Sequence, residues 1–138
     1  MTMKTNELRI GNYVNIEGDV VKVKEIYEKS IHYANDEYES YATEDFIQPI
    51  ELTEELLLKI GFEDRKGYFN YSKVFGDENN YCDYIHIYYC PMLKHFKFTH
   101  DKVKEDDLQQ MDLYNIQYLH QLQNAYYCLT NENLEIKL

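Results

Sequence analysis

The segment IQYLHQLQNAYYCLTNENLEIKL, Ile116–Leu138, decides the fold class. Its apolar residues Ile116, Leu119, Leu122, Tyr126 and Leu129 recur at the three-and-four spacing of an amphipathic helix. The spacing predicts a helix over about residues 115–129. Asn131 or Asn133 suits the left-handed turn that ends such a helix. Beyond it, Leu134-Glu135-Ile136-Lys137-Leu138 alternates, which predicts a short closing strand.

Immediately before this segment, the chain reads as strands. Tyr68–Val74, Tyr84–Tyr89 and Lys94–Thr99 are rich in aromatic and β-branched residues. Gly76–Asn80 is a polar turn, and Cys90-Pro91-Met92 makes the next connection. The pattern predicts a three-stranded antiparallel meander against which the C-terminal helix packs. Asp101–Asp107 (DKVKEDD) reads as a charged loop between the two.

A short helix is predicted upstream, over Glu54–Ile60. Pro49 turns Gln48 away from helix. Thr53 is a good N-cap, and Glu54 and Glu55 sit where the helix dipole favours negative charge. Leu56, Leu57 and Ile60 form its buried stripe, and Gly61 suits the left-handed position that ends it.

The first 48 residues read as a small antiparallel sheet or partly closed barrel. Leu8, Ile10, Val14, Ile16, Val21, Val23 and Ile26 make a hairpin about the turn Glu17-Gly18-Asp19, with a second bend at Gly11-Asn12 just before the first strand. Ile31-His32-Tyr33 and Tyr41–Ile47 supply further strands about a polar turn at Asn35-Asp36-Glu37. The opening Leu8–Val14 resembles the entry strand of Src-homology-like small barrels. The fold class is therefore α+β: a barrel-like subdomain over residues 1–48, then an α+β subdomain over residues 49–138, forming one compact unit.

Composition narrows the functional classes. With 25 acidic against 14 basic residues, the net charge is −11, which repels nucleic-acid phosphates and anionic membranes. Lys94, Lys97, Lys102 and Lys104 are the nearest approach to a basic patch, and Asp101 and Glu105–Asp107 dilute them. No apolar run approaches the roughly 20 residues of a membrane-spanning helix. No apolar segment of a secretory signal follows Met1–Thr5. A cytoplasmic location is expected. The three cysteines, Cys82, Cys90 and Cys128, are too few and too scattered for a disulfide framework. The 15 tyrosines, with no tryptophan, suit a thin core whose edges stay wet, and also an interface.

Three blocks resemble one another's counterparts in a known set of proteins. They are Asn6-Glu7-Leu8-Arg9-Ile10-Gly11-Asn12-Tyr13-Val14, then Pro49–Glu63 (PIELTEELLLKIGFE), then Leu119-His120-Gln121-Leu122-Gln123-Asn124-Ala125-Tyr126-Tyr127. Their order and spacing resemble a family of uncharacterised small proteins from Bacteroidetes genomes, prophages and phages. Leu56 stands where that pattern has tryptophan, and Asn131-Glu132-Asn133-Leu134 stands where it has Gly-Glu-Glu-Leu. Both departures keep a packing or turning role. The resemblance implies a setting, phage-borne or mobile genes, and no particular reaction.

The densest polar cluster on a predicted helix is His120, Gln121, Gln123 and Asn124, with His120 and Asn124 one turn apart. Such a cluster either binds a partner or ties the helix to neighbouring main chain. No nucleophile or carboxylate stands at a helical neighbour position to make a dyad with His120. Cys82, His86, Cys90, His95 and His100 have the wrong spacing for zinc. Cys82 and His86 lie about 13 Å apart in an extended strand. No metal or other cofactor is expected. The acidic residues Glu37, Glu39, Glu44, Asp45, Asp77, Glu78, Glu105, Asp106 and Asp107 read as a solvated surface. Alternatively, they form a face that imitates nucleic-acid phosphates.

These features point to a non-enzymatic accessory protein that binds a host or phage protein. His120, Gln121, Gln123, Asn124, Glu105, Asp106 and Asp107 are the candidate contacts. Two other readings are an acidic mimic that inhibits a host defence nuclease or DNA-binding enzyme, and an enzyme using His120.

Overall fold

A computed structural model describes residues 2–64, 71–75, 85–90, 95–100, 109–113 and 116–137. The chain forms two compact units, Met1–Leu52 with Gln117–Leu134, and Thr53–Ile116 with Glu135–Leu138. The chain leaves the first unit after Leu52 and returns to it at Gln117.

The first unit is built on a curled antiparallel sheet of five strands. They are β1 (Tyr13–Ile16), β2 (Asp19–Ile26), β3 (Ser30–Ala34), β4 (Glu39–Thr43) and β5 (Ile47–Gln48). Their order is β4-β3-β2-β1-β5. Period-two alternation sends Val14, Ile16, Val21, Val23, Ile31, Tyr33, Ala42 and Ile47 inward, where they pack with Met3 and Leu8. Between β1 and β2, Glu17 (φ 52°) and Gly18 (φ 93°) take the two positive φ angles of a tight hairpin turn. The Asn15 side-chain oxygen accepts from Gly18 N–H at 2.9 Å. A register shift between Val23 and Glu25 adds a bulge that bends β2.

The bend expected at Gly11-Asn12, just before the first strand, lies there, and Leu8 and Ile10 fall outside the hairpin strands. Residues 8–12 form a bend, β1 begins at Tyr13, and Ile10 is 62% exposed. Asn12 N–H donates to Arg9 C=O at 3.0 Å, Gly11 takes φ 97°, and Gly11 N–H donates to Val23 C=O at 2.8 Å. The expected strand Tyr41–Ile47 is divided. Glu44–Phe46 makes a 3₁₀ turn between β4 and β5. Glu44 holds that turn to the N-terminal segment by accepting from Thr5 N–H at 3.0 Å.

The second unit contains α1 (Glu54–Ile60) and a sheet of β6 (Glu63–Asp64), β7 (Tyr71–Phe75), β8 (Ile85–Cys90), β9 (His95–His100) and β10 (Gln109–Leu113). The strand order β10-β9-β8-β7-β6 is an antiparallel meander with one more strand on each side than the sequence suggested. α1 has the predicted bounds because both ends are capped. Thr53 Oγ1 accepts from Leu56 N–H at 3.1 Å. At the other end, Gly61 (φ 106°) donates to Leu58 C=O and Phe62 donates to Leu57 C=O. Leu56, Leu57, Ile60, Phe62, Tyr71, Tyr89, Cys90 and Phe96 are buried, and the Tyr89 and Phe96 rings lie 4.5 Å apart.

The C-terminal helix, α2 (Leu119–Thr130), belongs to the first unit. Within that unit its contacts run to β1 and to the bend before it. It starts four residues later than predicted. Leu52 N–H donates to Gln117 C=O at 3.0 Å, and Tyr118 forms an antiparallel bridge with Glu51. Those bonds hold residues 117 and 118 extended. Leu119, Leu122 and Tyr126 are buried as the stripe requires. Asn131 takes the left-handed conformation, φ 60°, and its N–H donates to Tyr127 C=O. Residues 133–137 are not a strand; Leu134 is buried while Glu135 and Lys137 are exposed. A five-residue alternation specifies which side chains go inward, not a pairing partner.

Candidate functional site

The polar cluster on α2 is directed at main chain. Gln123 is buried and uses both ends of its amide. Its Oε1 accepts from Tyr13 N–H at 2.9 Å, and its Nε2 donates to Gly11 C=O at 3.1 Å. Asn124, one position on, accepts from Asn12 Nδ2 at 2.9 Å and donates to Glu7 C=O at 3.2 Å. Asn12 is itself buried, and its Oδ1 accepts from Arg9 N–H at 2.7 Å. The Arg9 guanidinium lies 3.5 Å from the centroid of the Tyr127 ring. Gln121 serves its own helix, accepting from Gln117 N–H at 2.8 Å and Tyr118 N–H at 3.1 Å.

The reason for this lattice is the bend before β1. A bend leaves amide and carbonyl groups without ladder partners, and buried ones must be satisfied. The Gln123-Asn124 pair provides two donors and two acceptors where Glu7, Gly11, Asn12 and Tyr13 need them. The first and third blocks of the sequence pattern, Asn6–Val14 and Leu119–Tyr127, are thus the two halves of one joint.

His120 is 2% exposed and its Nδ1 has no hydrogen-bond partner. Its ring stacks on Tyr118 at 5.9 Å with 14° between planes. Burial pushes the imidazole pKa below its usual value, and the negative charge of Glu7 only partly opposes this. His120 is therefore a neutral ring in the packed part of the helix. Among the described residues, no three His, Cys, Asp or Glu side chains converge to hold a metal. Cys90 is buried and Cys128 exposed. His86 lies on β8, and His95 and His100 lie on β9. Cys82, Asp77, Glu78 and the candidate contacts Glu105, Asp106 and Asp107 lie outside the described residues.

A second constellation, absent from the sequence reading, lies on the outer face of the first sheet. His32 on β3 opposes Glu25 on β2 and Tyr41 on β4. Its Nδ1 is 3.1 Å from Glu25 Oε1, without hydrogen-bond alignment, and its Nε2 is 3.6 Å from Glu39 Oε2. The His32 and Tyr41 rings are 4.8 Å apart, and Tyr27 and Tyr41 are 6.3 Å apart. Tyr27 donates to Glu25 Oε2 at 2.8 Å, and the carboxylate beside it raises the phenol pKa. Tyr41 is 64% exposed and Tyr27 44%.

The sequence carried a signal for this face. His32, Glu39 and Tyr41 occupy the outward positions of two period-two strands, but their register across β3 and β4 depends on the turn at Asn35. Asn35 Oδ1 accepts from both Glu37 N–H and Tyr38 N–H at 2.9 Å and so sets that turn.

Among the described residues, no helix is long and apolar enough to cross a membrane. Comparison of the chain with models of protein families, with characterised proteins and with solved structures finds no match.

Proposed function

We propose that the chain is a non-enzymatic accessory protein, related to phage or prophage proteins, that works in the bacterial cytoplasm by binding another protein. The observation that carries this reading is the outer face of the first sheet. Two exposed tyrosines and two carboxylates gather there around His32, with no part in the core. Large aromatic side chains at a solvated surface are the composition of a contact surface.

The state of the α2 cluster points the same way. Gln121, Gln123 and Asn124 spend their hydrogen bonds on main chain and on Asn12, and the His120 ring is buried. A general base has to reach the proton it abstracts, and His120 packs inward instead. The partner contacts of this reading therefore move from α2 to the β3–β4 face. Inhibition by phosphate mimicry receives less support, since Glu44 is committed to Thr5 within the fold.

The test is affinity capture with the full-length chain from cells of a Bacteroidetes host, with and without phage infection. A specific, stoichiometric partner is expected. Its absence under both conditions, or an activity in a substrate screen that His120→Ala removes, would overturn the proposal.

A further inference from the structure

We propose that the outer face of β3–β4, together with the free edge of β4, binds an extended cationic peptide segment whose arginine side chain lies on Tyr41 between Glu25 and Glu39. This rests on the protein-binding reading above and gives the partner a chemistry.

Charge is the first argument. One imidazole, His32, stands between two carboxylates, 3.1 Å from Glu25 and 3.6 Å from Glu39. Even fully protonated it neutralises only one of them, so the cluster stays negative. Among the described residues no Lys or Arg pairs with Glu25 or Glu39. Lys22, also on β2, directs its ammonium to the Tyr13 ring at 5.8 Å.

Geometry selects arginine. The exposed rings of Tyr27 and Tyr41 carry negative π faces and lie 39° from parallel. A guanidinium is planar, stacks on such a ring, and can donate at the same time to a carboxylate at its edge.

The third argument is the backbone. Among the described residues, β4 is an edge strand. Asn35 N–H donates to Tyr38 C=O and Glu44 N–H donates to Lys29 C=O. With the register Tyr33↔Ser40 and Ile31↔Ala42, these bonds fix which groups face β3. Ser40 and Ala42 bond inward; Glu39, Tyr41 and Thr43 turn their N–H and C=O groups to the open edge. A strand added there places every second side chain on the outer face, beside Tyr41. A second copy of this chain suits the edge poorly, since it would bring Glu39 and a net charge of −11 against the same.

The probe is an end-blocked octapeptide of alternating threonine and arginine, titrated into the labelled full chain and followed by amide NMR shifts and fluorescence anisotropy. Saturable shifts are expected at Glu39, Tyr41 and Thr43. Roughly tenfold weaker binding is expected with citrulline in place of arginine, and in the Glu25→Gln/Glu39→Gln variant. Tyr41→Thr, which keeps strand propensity, should weaken binding several-fold. N-methylation of alternate peptide amides should abolish it, and added salt should weaken it. The proposal is overturned by any of three results: no saturable shift up to about 1 mM peptide, shifts centred elsewhere, or a dimer of the free chain in sedimentation that Tyr41→Thr dissolves. A captured partner whose binding survives both variants would overturn this surface and leave the protein-binding reading standing. Capture of no partner would overturn both.

Discussion

Asn12 and Asn124, 112 positions apart in the chain, are joined side chain to side chain by a 2.9 Å hydrogen bond. The bond closes a lattice in which Gln123 and Asn124 satisfy the main chain of Glu7, Gly11 and Tyr13. The sheet begins where it does because the helix is there to receive the bend that precedes it.

Truncation at this joint should be costly. Gln123→Ala strands a donor at Tyr13 and an acceptor at Gly11, each worth about 1–3 kcal/mol when buried without a partner. The expected loss is about 2–4 kcal/mol of unfolding free energy in urea. In a cycle of Asn12→Ala and Asn124→Ala, the two losses should fall short of additivity by about 1 kcal/mol. Strict additivity would mean that the bond contributes nothing.

Burial of His120 makes stability depend on pH in a definite direction. Its folded pKa lies below the usual histidine value, so the unfolded chain takes up the proton more readily. Stability should therefore be fully present above about pH 6.5 and decline as the pH falls through that value, by up to roughly 1.4 kcal/mol per pH unit. His120→Phe keeps a stacking ring, removes the unpartnered Nδ1 and removes the titration. Its melting temperature should match or exceed that of the parent at pH 7, and the gap should widen toward pH 5. Parallel melting curves for the two proteins from pH 7 to 5 would refute the assignment.

The hairpin turn holds a correctable strain. Glu17 sits at φ 52°, a conformation that asparagine tolerates better. Glu17→Asn creates the preferred Asn-Gly pair with Gly18, and should add about 0.5–1 kcal/mol to stability by chemical denaturation. The side chain is exposed, so no packing loss offsets the gain. A lower denaturation midpoint would show that the glutamate makes a contribution of its own.

Local signals carried the elements whose ends are set by their own neighbours. The Thr53 cap, the apolar trio Leu56, Leu57 and Ile60, and Gly61 define α1 completely. Alternation placed β2 and β3, and the Glu17-Gly18-Asp19 signal placed the turn between β1 and β2. Elements whose ends are set from a distance were misread. The start of α2 was predicted too early because the bonds holding residues 117 and 118 extended come from residues 50–52. The bend at Gly11-Asn12 just before β1 was legible in its residues, whereas its closure by α2 was not.

The candidate site divides in the same way. His120, Gln121, Gln123 and Asn124 stood out in the sequence as a polar edge on an amphipathic helix, and periodicity alone shows that such an edge exists. What it faces depends on which sheet the helix covers. Packing on the first sheet puts Gln123 within 3.1 Å of Gly11 and makes the cluster part of the fold. The face around His32 was hidden for the opposite reason. Its members, Glu25, Tyr27, His32, Glu39 and Tyr41, come from three strands, and only antiparallel register brings them together.

By itself the sequence determined the α+β class, the inward residues of the first hairpin and the capped helix α1, because burial periodicity and capping act within a few residues. Only the tertiary structure decided that α2 returns to the first unit, that its amides complete a bend more than a hundred residues away, and that an acidic, aromatic face gathers beside a free strand edge. Those outcomes rest on hydrogen bonds and register between distant segments, which no local spacing encodes.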